Sequence, residues 1–250
     1  MNNIKNTIIY FSFLFFAFSV NASSNVTLDQ LDINLESRSS LQRGAKVFFD
    51  YCQGCHSLKY IRYSDLVKGL SLSETKEKSL DVVIKETLMH SSNKISENSP
   101  VLSSISNNAA KWFGKMPPDL SLIARYRGVD WLYTYMRSFY KDPSRPWGVN
   151  NLVFPDVGMP HVLLNLQGLQ VLKEGHHAQN IDKMLDLIEN GELSKNEYNA
   201  LVKDLVTFLS YVGEPIQVER SNLGYKVLIY LLVLIIVLFF LKKEYWKDVK

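Results

Sequence analysis

The two cysteines of this 250-residue chain stand at Cys52 and Cys55, and His56 follows directly, in the run Tyr51-Cys52-Gln53-Gly54-Cys55-His56. Set three residues apart at the end of a helix, both thiols can reach one flat ligand while the adjacent imidazole turns toward its centre. This C-x-x-C-H spacing reads as covalent haem attachment: each thiol adds to one vinyl group, and the histidine becomes the proximal iron ligand. Three other chemistries compete for the same residues. A redox dithiol sits in a strand-then-helix context and does not need His56. A zinc site needs two further Cys or His ligands at finger-like spacing, which the chain lacks. A plain disulfide is the third, but haem attachment uses both thiols instead.

A sixth ligand would decide what such a haem does. Met159 is held between Gly158, which lets the backbone approach closely, and Pro160, which stiffens the chain. Met116 also precedes a proline, in Lys115-Met116-Pro117-Pro118-Asp119. The flanking residues favour Met159, with Met116 as the alternative. Pairing His with Met raises the haem potential and fills both axial positions, which favours electron transfer over substrate chemistry at the iron. His161, His176 and His177 are further candidate ligands. The last two form a Gly-flanked pair that reads as solvent-facing, and His90 reads as a surface residue.

Several elements must position these groups. A helix from Ser40, apolar at Leu41, Ala45, Phe48 and Phe49, delivers the motif, and Gly44 offers a site where another helix could cross closely. Tyr60, Arg62 and Tyr63 follow beside the expected haem edge. Residues 71–110 are polar, with one short helix over Leu80 to Met89. Pro117-Pro118 reads as a rigid wall, and Asp119 or Ser121 as a cap for a helix running to about Tyr140. Its apolar stripe is Trp131, Leu132, Tyr135, Met136 and Phe139, with Arg125 and Arg127 near its start. A turn-rich loop over 142–148 leads to the Met159 segment. Ser194 and Glu197 form a capping box for a last soluble helix that stops at Gly213, and its broad apolar face should pack against the helix carrying the motif.

The chain has hydrophobic ends. Residues 1–22 read as a secretory signal peptide with a small-residue cleavage site, implying export to an oxidising compartment. Residues 223–241 read as a transmembrane helix of about 28 Å, close to the hydrocarbon thickness of a bilayer. Lys242, Lys243, Lys247 and Lys250 then place the 242–250 tail in the cytoplasm by the positive-inside rule. Residues 23–220 become a periplasmic domain tethered by that helix. With a formal charge of +3 and no basic face interleaved with aromatics, nucleic-acid binding has no support.

The assembled motifs closely resemble the bacterial cytochrome c1 family, the haem subunit of the cytochrome bc1 complex (ubiquinol–cytochrome c reductase). The likeness runs through Arg43-Gly44-Ala45, Tyr51 to Tyr63, Pro117 to Ser121, Asp130 to Tyr140, Asn150 to Leu163, Gly213 to Pro215 and Lys242 to Asp248. It implies a mainly α, cytochrome c-like haem domain with one C-terminal transmembrane helix in the bacterial inner membrane. It implies one haem c, attached through Cys52 and Cys55, with His56 and Met159 on the iron. It further implies that Arg127 reaches a haem propionate and that Pro118 packs near the ring. The implied role is a non-catalytic electron-transfer subunit. Its partners would be cytochrome b, the Rieske iron–sulfur protein and an acceptor c-type cytochrome, in a dimeric bc1 complex. Lys115-Met116 and the long polar stretch before Trp112 depart from what it resembles. Three rivals share the same motifs: another membrane-tethered c-type cytochrome, a haem enzyme or gas sensor with an open iron position, and a non-redox structural scaffold of a respiratory complex.

Overall fold

The computed structural model describes residues 26–72, 98–103, 105, 109–173 and 180–247. The leader at 1–22, the helix expected over 80–89, His90 and the pair His176-His177 lie outside the described residues.

Two helices form the frame. Helix α1 (Arg38–Val47) buries Leu41, Gly44, Ala45 and Val47, a stripe recurring every three to four residues. Helix α8 (Lys195–Gly213) crosses it and begins at the expected capping box: the Ser194 hydroxyl accepts from the Glu197 amide, and Glu197 accepts from the Ser194 amide. The crossing is close because Gly44 has no side chain. A Cβ there would run into the Asp204 carbonyl and come to 2.8 Å from the Phe208 Cβ. Asp204 also binds α1 through its carboxylate, accepting from Ser40 Oγ at 2.5 Å and Arg43 Nε at 2.6 Å. Phe48 and Phe208, both fully buried, meet beside this point with ring centroids 5.8 Å apart. Burial of each such ring stabilises by about 1.5–3 kcal/mol.

The long helix expected over 121–140 is two helices, α4 (Ile123–Arg127) and α5 (Val129–Arg137). Gly128 divides them with φ +87°, a conformation open to glycine and costly for a residue with a Cβ. Helix α5 stops before Phe139 because the Tyr135 carbonyl, which would have accepted its amide, is taken by Ser138 N at 3.3 Å and Asn151 Nδ2 at 2.8 Å. Phe139 instead opens β3 (Phe139–Lys141), paired antiparallel with β4 (Val149–Asn151) in the register Phe139–Asn151, Tyr140–Asn150, Lys141–Val149.

Shorter elements complete the domain. Strand β1 (Leu58–Arg62) pairs antiparallel with β2 (Pro100–Val101), and α2 (Tyr63–Gly69) follows β1 directly. Helix α3 (Ala109–Phe113) precedes the proline wall. Helix α6 (Leu164–Gln167) leads into β5 (Gly168–Leu172), which pairs antiparallel with β6 (Leu185–Asn190) after the short α7 (Ile181–Met184). From the sequence alone no strand is expected in this stretch before Ser194. The 26–37 lead-in is strapped onto α5. Asp29 N donates to Thr134 Oγ1 at 2.9 Å, Leu31 N donates to Asp130 Oδ1 at 2.8 Å, and buried Arg137 pairs with Asp29.

Helix α9 (Gln217–Tyr245) is the one described helix long and apolar enough to cross a membrane, and none of its residues is buried. It begins six residues before the expected start at 223 and at 1.5 Å per residue spans about 44 Å, so about 15 Å extends beyond a hydrocarbon core.

Gly44→Ala forces a Cβ into the Asp204 backbone and should destabilise the domain by about 2–3 kcal/mol. Urea denaturation followed by tryptophan fluorescence will show this as a lowered midpoint with an unchanged slope.

Candidate haem site

The motif leaves α1 through a π-helical turn, Phe48–Cys52, which closes with Gln53 N donating to Phe48 O at 2.9 Å. The widened turn is followed by bonds from Cys55 N and His56 N to Cys52 O at 3.0 and 2.8 Å. Cys52, Cys55 and His56 are thereby wound onto one compact turn. Gln53 Nε2 ties that turn to the Leu102 carbonyl at 2.5 Å.

Both cysteines are free. Burial, helped by the neighbouring Cys55 sulfur, pushes the Cys52 thiol up to about 12, and burial also raises Cys55. Thioredoxin-type dithiols have the opposite property, a depressed pKa that keeps the attacking thiolate available. Among the described residues, no group of three Cys, His, Asp or Glu gathers as a metal-ligand cluster.

His56 is 91% buried by its 9% exposure, and its Nδ1 lies 2.7 Å from the Pro118 carbonyl oxygen. A carbonyl only accepts, so Nδ1 carries the proton and the Nε2 lone pair is left for a metal. Burial lowers the imidazole pKa, against the opposing pull of the Pro118 carbonyl and the Asp119 charge, and so favours the neutral ring. Pro118 thus acts through its backbone oxygen. That oxygen is set by a zipper between the wall and the segment after the motif: Leu120 N donates to Ser57 O at 2.9 Å, Lys59 N to Asp119 Oδ2 at 3.0 Å, and Tyr60 N to Ser121 Oγ at 3.2 Å. Asp119 and Ser121 were expected to cap the next helix. They hold this zipper instead, and Leu122 occupies the N-cap of α4 without a side-chain hydrogen bond. A cleft beside Cys55 is lined by Ser57, Ala109, Met116 and Pro117 among others.

Met159 sits on the loop after β4, partly buried against the same apolar core that contains Cys52. The Tyr135 hydroxyl donates to its Sδ at 3.4 Å, and burial raises the phenol pKa, keeping the proton on the oxygen. Buried Asn150 and Asn151 shape the loop. Asn151 Oδ1 accepts from Val153 N at 3.0 Å, Phe154 N at 3.1 Å and Ser138 Oγ at 3.1 Å, while Asn150 Oδ1 accepts from Asp156 N at 2.9 Å. Met116, by contrast, is 48% exposed. Met136 is buried in the core, as expected of a packing residue. His161 is a core imidazole stacked on Phe139 at 4.7 Å with an interplanar angle of 4°. Among the described residues its buried ring nitrogens meet no hydrogen-bond partner of good geometry, and burial pushes its pKa down to about 4 despite the adjacent Gln167.

The Arg127 guanidinium lies over three rings, 4.7 Å from Trp131, 5.1 Å from Tyr126 and 5.6 Å from Phe154. This cage holds a cation at the exposed end of α4. Of the residues near the expected haem edge, Tyr60 is 75% exposed whereas Tyr63 is buried in the core. The donor set fits a c-type haem: two free thiols on one turn, a neutral imidazole with Nε2 uncommitted, and a thioether held on the same core.

The Cytochrome C1 family model matches residues 33–249. A cytochrome c1 of Allochromatium vinosum is 46% identical over 226 residues, which cover 89% of this chain and 89% of the relative. An ammonia monooxygenase gamma subunit of Nitrosomonas europaea is 40% identical over 229 residues, 92% of each chain. A cytochrome c1 of Rhodospirillum rubrum is 29% identical over 225 residues, covering 84% of this chain and 82% of the relative.

Asn151→Ala removes the acceptor of three donors and the donor to Tyr135 O, and should destabilise by about 2–4 kcal/mol at roughly 1 kcal/mol per bond. Thermal denaturation should show a larger loss for this variant than for Asn150→Ala.

Proposed function

The chain belongs to the cytochrome c1 family, and from that premise we propose that it carries one haem c bound covalently through Cys52 and Cys55, with His56 and Met159 as axial ligands. Family membership makes it the haem-bearing electron-transfer subunit of the cytochrome bc1 complex, anchored in the membrane by α9. The bound haem supplies a one-electron ferrous–ferric couple.

The observation that carries this reading is the 2.7 Å bond from His56 Nδ1–H to the Pro118 carbonyl. It fixes the tautomer, aims Nε2 and strengthens the imidazole as a donor. The thiols anchor the group on a turn braced by α1, so its position relative to His56 is set by the fold. Met159 is favoured over Met116 as the opposite ligand because its sulfur is sheltered and hydrogen-bonded while Met116 is half exposed. Arg127, held over its aromatic cage, presents a cation suited to a haem propionate.

Within the complex, electrons would arrive from the Rieske iron–sulfur protein and leave to an acceptor c-type cytochrome. Cytochrome b would lie against α9, and the whole complex would be a dimer. The organisation that fits this role is a leader at 1–22, a periplasmic haem domain at 23–220, a transmembrane segment at 223–241 and a cytoplasmic tail at 242–250. The lysines after Leu241 support that orientation in a bacterial inner membrane.

Purification of the tagged chain from membranes in mild detergent, followed by a reduced-minus-oxidised spectrum, tests the assignment. The expected result is b-type haem co-purifying in fixed ratio with the c-type band, and quinol reducing the c haem. A c-type band alone in an intact complex would remove the chain from a bc1 complex.

A further inference from the structure

We infer that Tyr135 is a positioning residue for the sixth iron ligand: its hydroxyl holds the Met159 sulfur so that one lone pair stays aimed at the metal, and it raises the reduction potential of the site. This rests on the reading of Met159 as that ligand.

Tyr135 lies one α5 turn below Trp131 and is 9% exposed. A phenylalanine would fill the same apolar space without burying a hydroxyl. A buried hydroxyl is tolerated when it has an acceptor, and among the described residues the Met159 sulfur, at 3.4 Å, is the acceptor this one has. The ring cannot swing away from it. Trp131 stacks on one side with centroids 4.9 Å apart and planes 10° apart, and Phe139 meets it edge-on at 5.2 Å. The backbone of the same residue holds the loop as well, since its carbonyl accepts from Asn151 Nδ2, and Asn151 Oδ1 accepts the amides of Val153 and Phe154. A single helical position therefore anchors both the start of the Met159 loop and the sulfur near its end.

The chemistry follows from the direction of the bond. A thioether sulfur has two lone pairs. A hydroxyl proton on one draws electron density away from the other, making the sulfur a weaker donor to a metal. The ferric state depends on that donation more than the ferrous state does, so the bond favours reduction. Losing it should shift the reduction equilibrium toward the ferric state by about two- to tenfold, the range set by one neutral hydrogen bond.

The test uses the haem-loaded full-length protein purified from membranes, in wild type, Tyr135→Phe and Met159→Leu. Three quantities are read: the reduction potential, the sulfur-to-iron charge-transfer band of the ferric state, and carbon monoxide binding to the ferrous state. The expected result is that Met159→Leu abolishes the band and opens the iron to carbon monoxide. Tyr135→Phe should keep the band and lower the potential. A fluorotyrosine introduced at 135, a stronger donor of nearly the same shape, should raise the potential, and it decides the matter if Tyr135→Phe fails to load haem. If Met159→Leu changes nothing, Met159 is not the ligand and the inference falls with that reading. If Met159→Leu behaves as expected but neither change at 135 moves the potential, the ligand reading stands and the role of Tyr135 is overturned.

Discussion

The close crossing of α1 and α8 at Gly44 and Asp204 is the constraint on which the rest of the domain depends. It fixes the direction in which α1 points, and the C-x-x-C-H motif is the continuation of α1 through one π-helical turn. Asp204 closes the crossing by its carbonyl against Gly44 and by its carboxylate on Ser40 and Arg43. The ion pair adds little by itself, because the Arg43 side chain is 62% exposed. The close backbone approach and the buried Phe48–Phe208 contact give the crossing its rigidity. The far side of α8 then reaches α5, where the Tyr198 hydroxyl donates to the Met136 carbonyl at 2.8 Å. The helix bearing the cysteines and the helix backing the methionine loop are thus set against one common partner.

From that frame two clamps converge on the core. One is the wall at 117–121, zipped to Ser57–Tyr60, whose product is a single carbonyl oxygen placed to accept the hydrogen bond from His56 Nδ1–H. The other is the Asn150–Asn151 pair, which turns β4 into the Met159 loop and caps α5 in the same act. Each clamp consists of bonds worth about 1 kcal/mol, so neither stabilises the fold greatly. Their effect is orientation: a neutral imidazole with a free Nε2, and a thioether with a sheltered sulfur. Such ligands suit an electron carrier, whose axial positions must stay filled in both oxidation states.

Much of this was legible in the chain itself. Cys52, Cys55 and His56 announce the site because their spacing alone encodes a chemical geometry. Ser194 and Glu197 mark the start of α8 because a capping box is local. Gly44 signals a close crossing, and the apolar run after Leu223 signals a membrane helix. The features that were missed depend on tertiary partners. The role of Pro118 is played by its carbonyl, a group every residue has. The end of α5 is set by Asn151, fourteen positions after Arg137, which competes for the Tyr135 carbonyl. Gly128 falls inside the single helix expected to run to about Tyr140, and only its φ of +87° shows that it divides that helix. The hairpin of β5 and β6 was hidden because its strands leave Leu172, Leu187 and Ile188 about half exposed, blurring the apolar alternation. Asp119 and Ser121 have the residue types of caps, yet β1 offers their oxygens better-placed amides.

What the folded chain presents to the iron decides whether this protein is a His–Met electron carrier. X-ray absorption at the iron edge of the haem-loaded protein reads this directly, in both oxidation states. The prediction is one sulfur alongside the nitrogen ligands, retained on reduction. It should be lost in Met159→Leu and unaffected in Met116→Leu. A first coordination shell of nitrogen alone, or one whose sulfur disappears with Met116 instead, would contradict it.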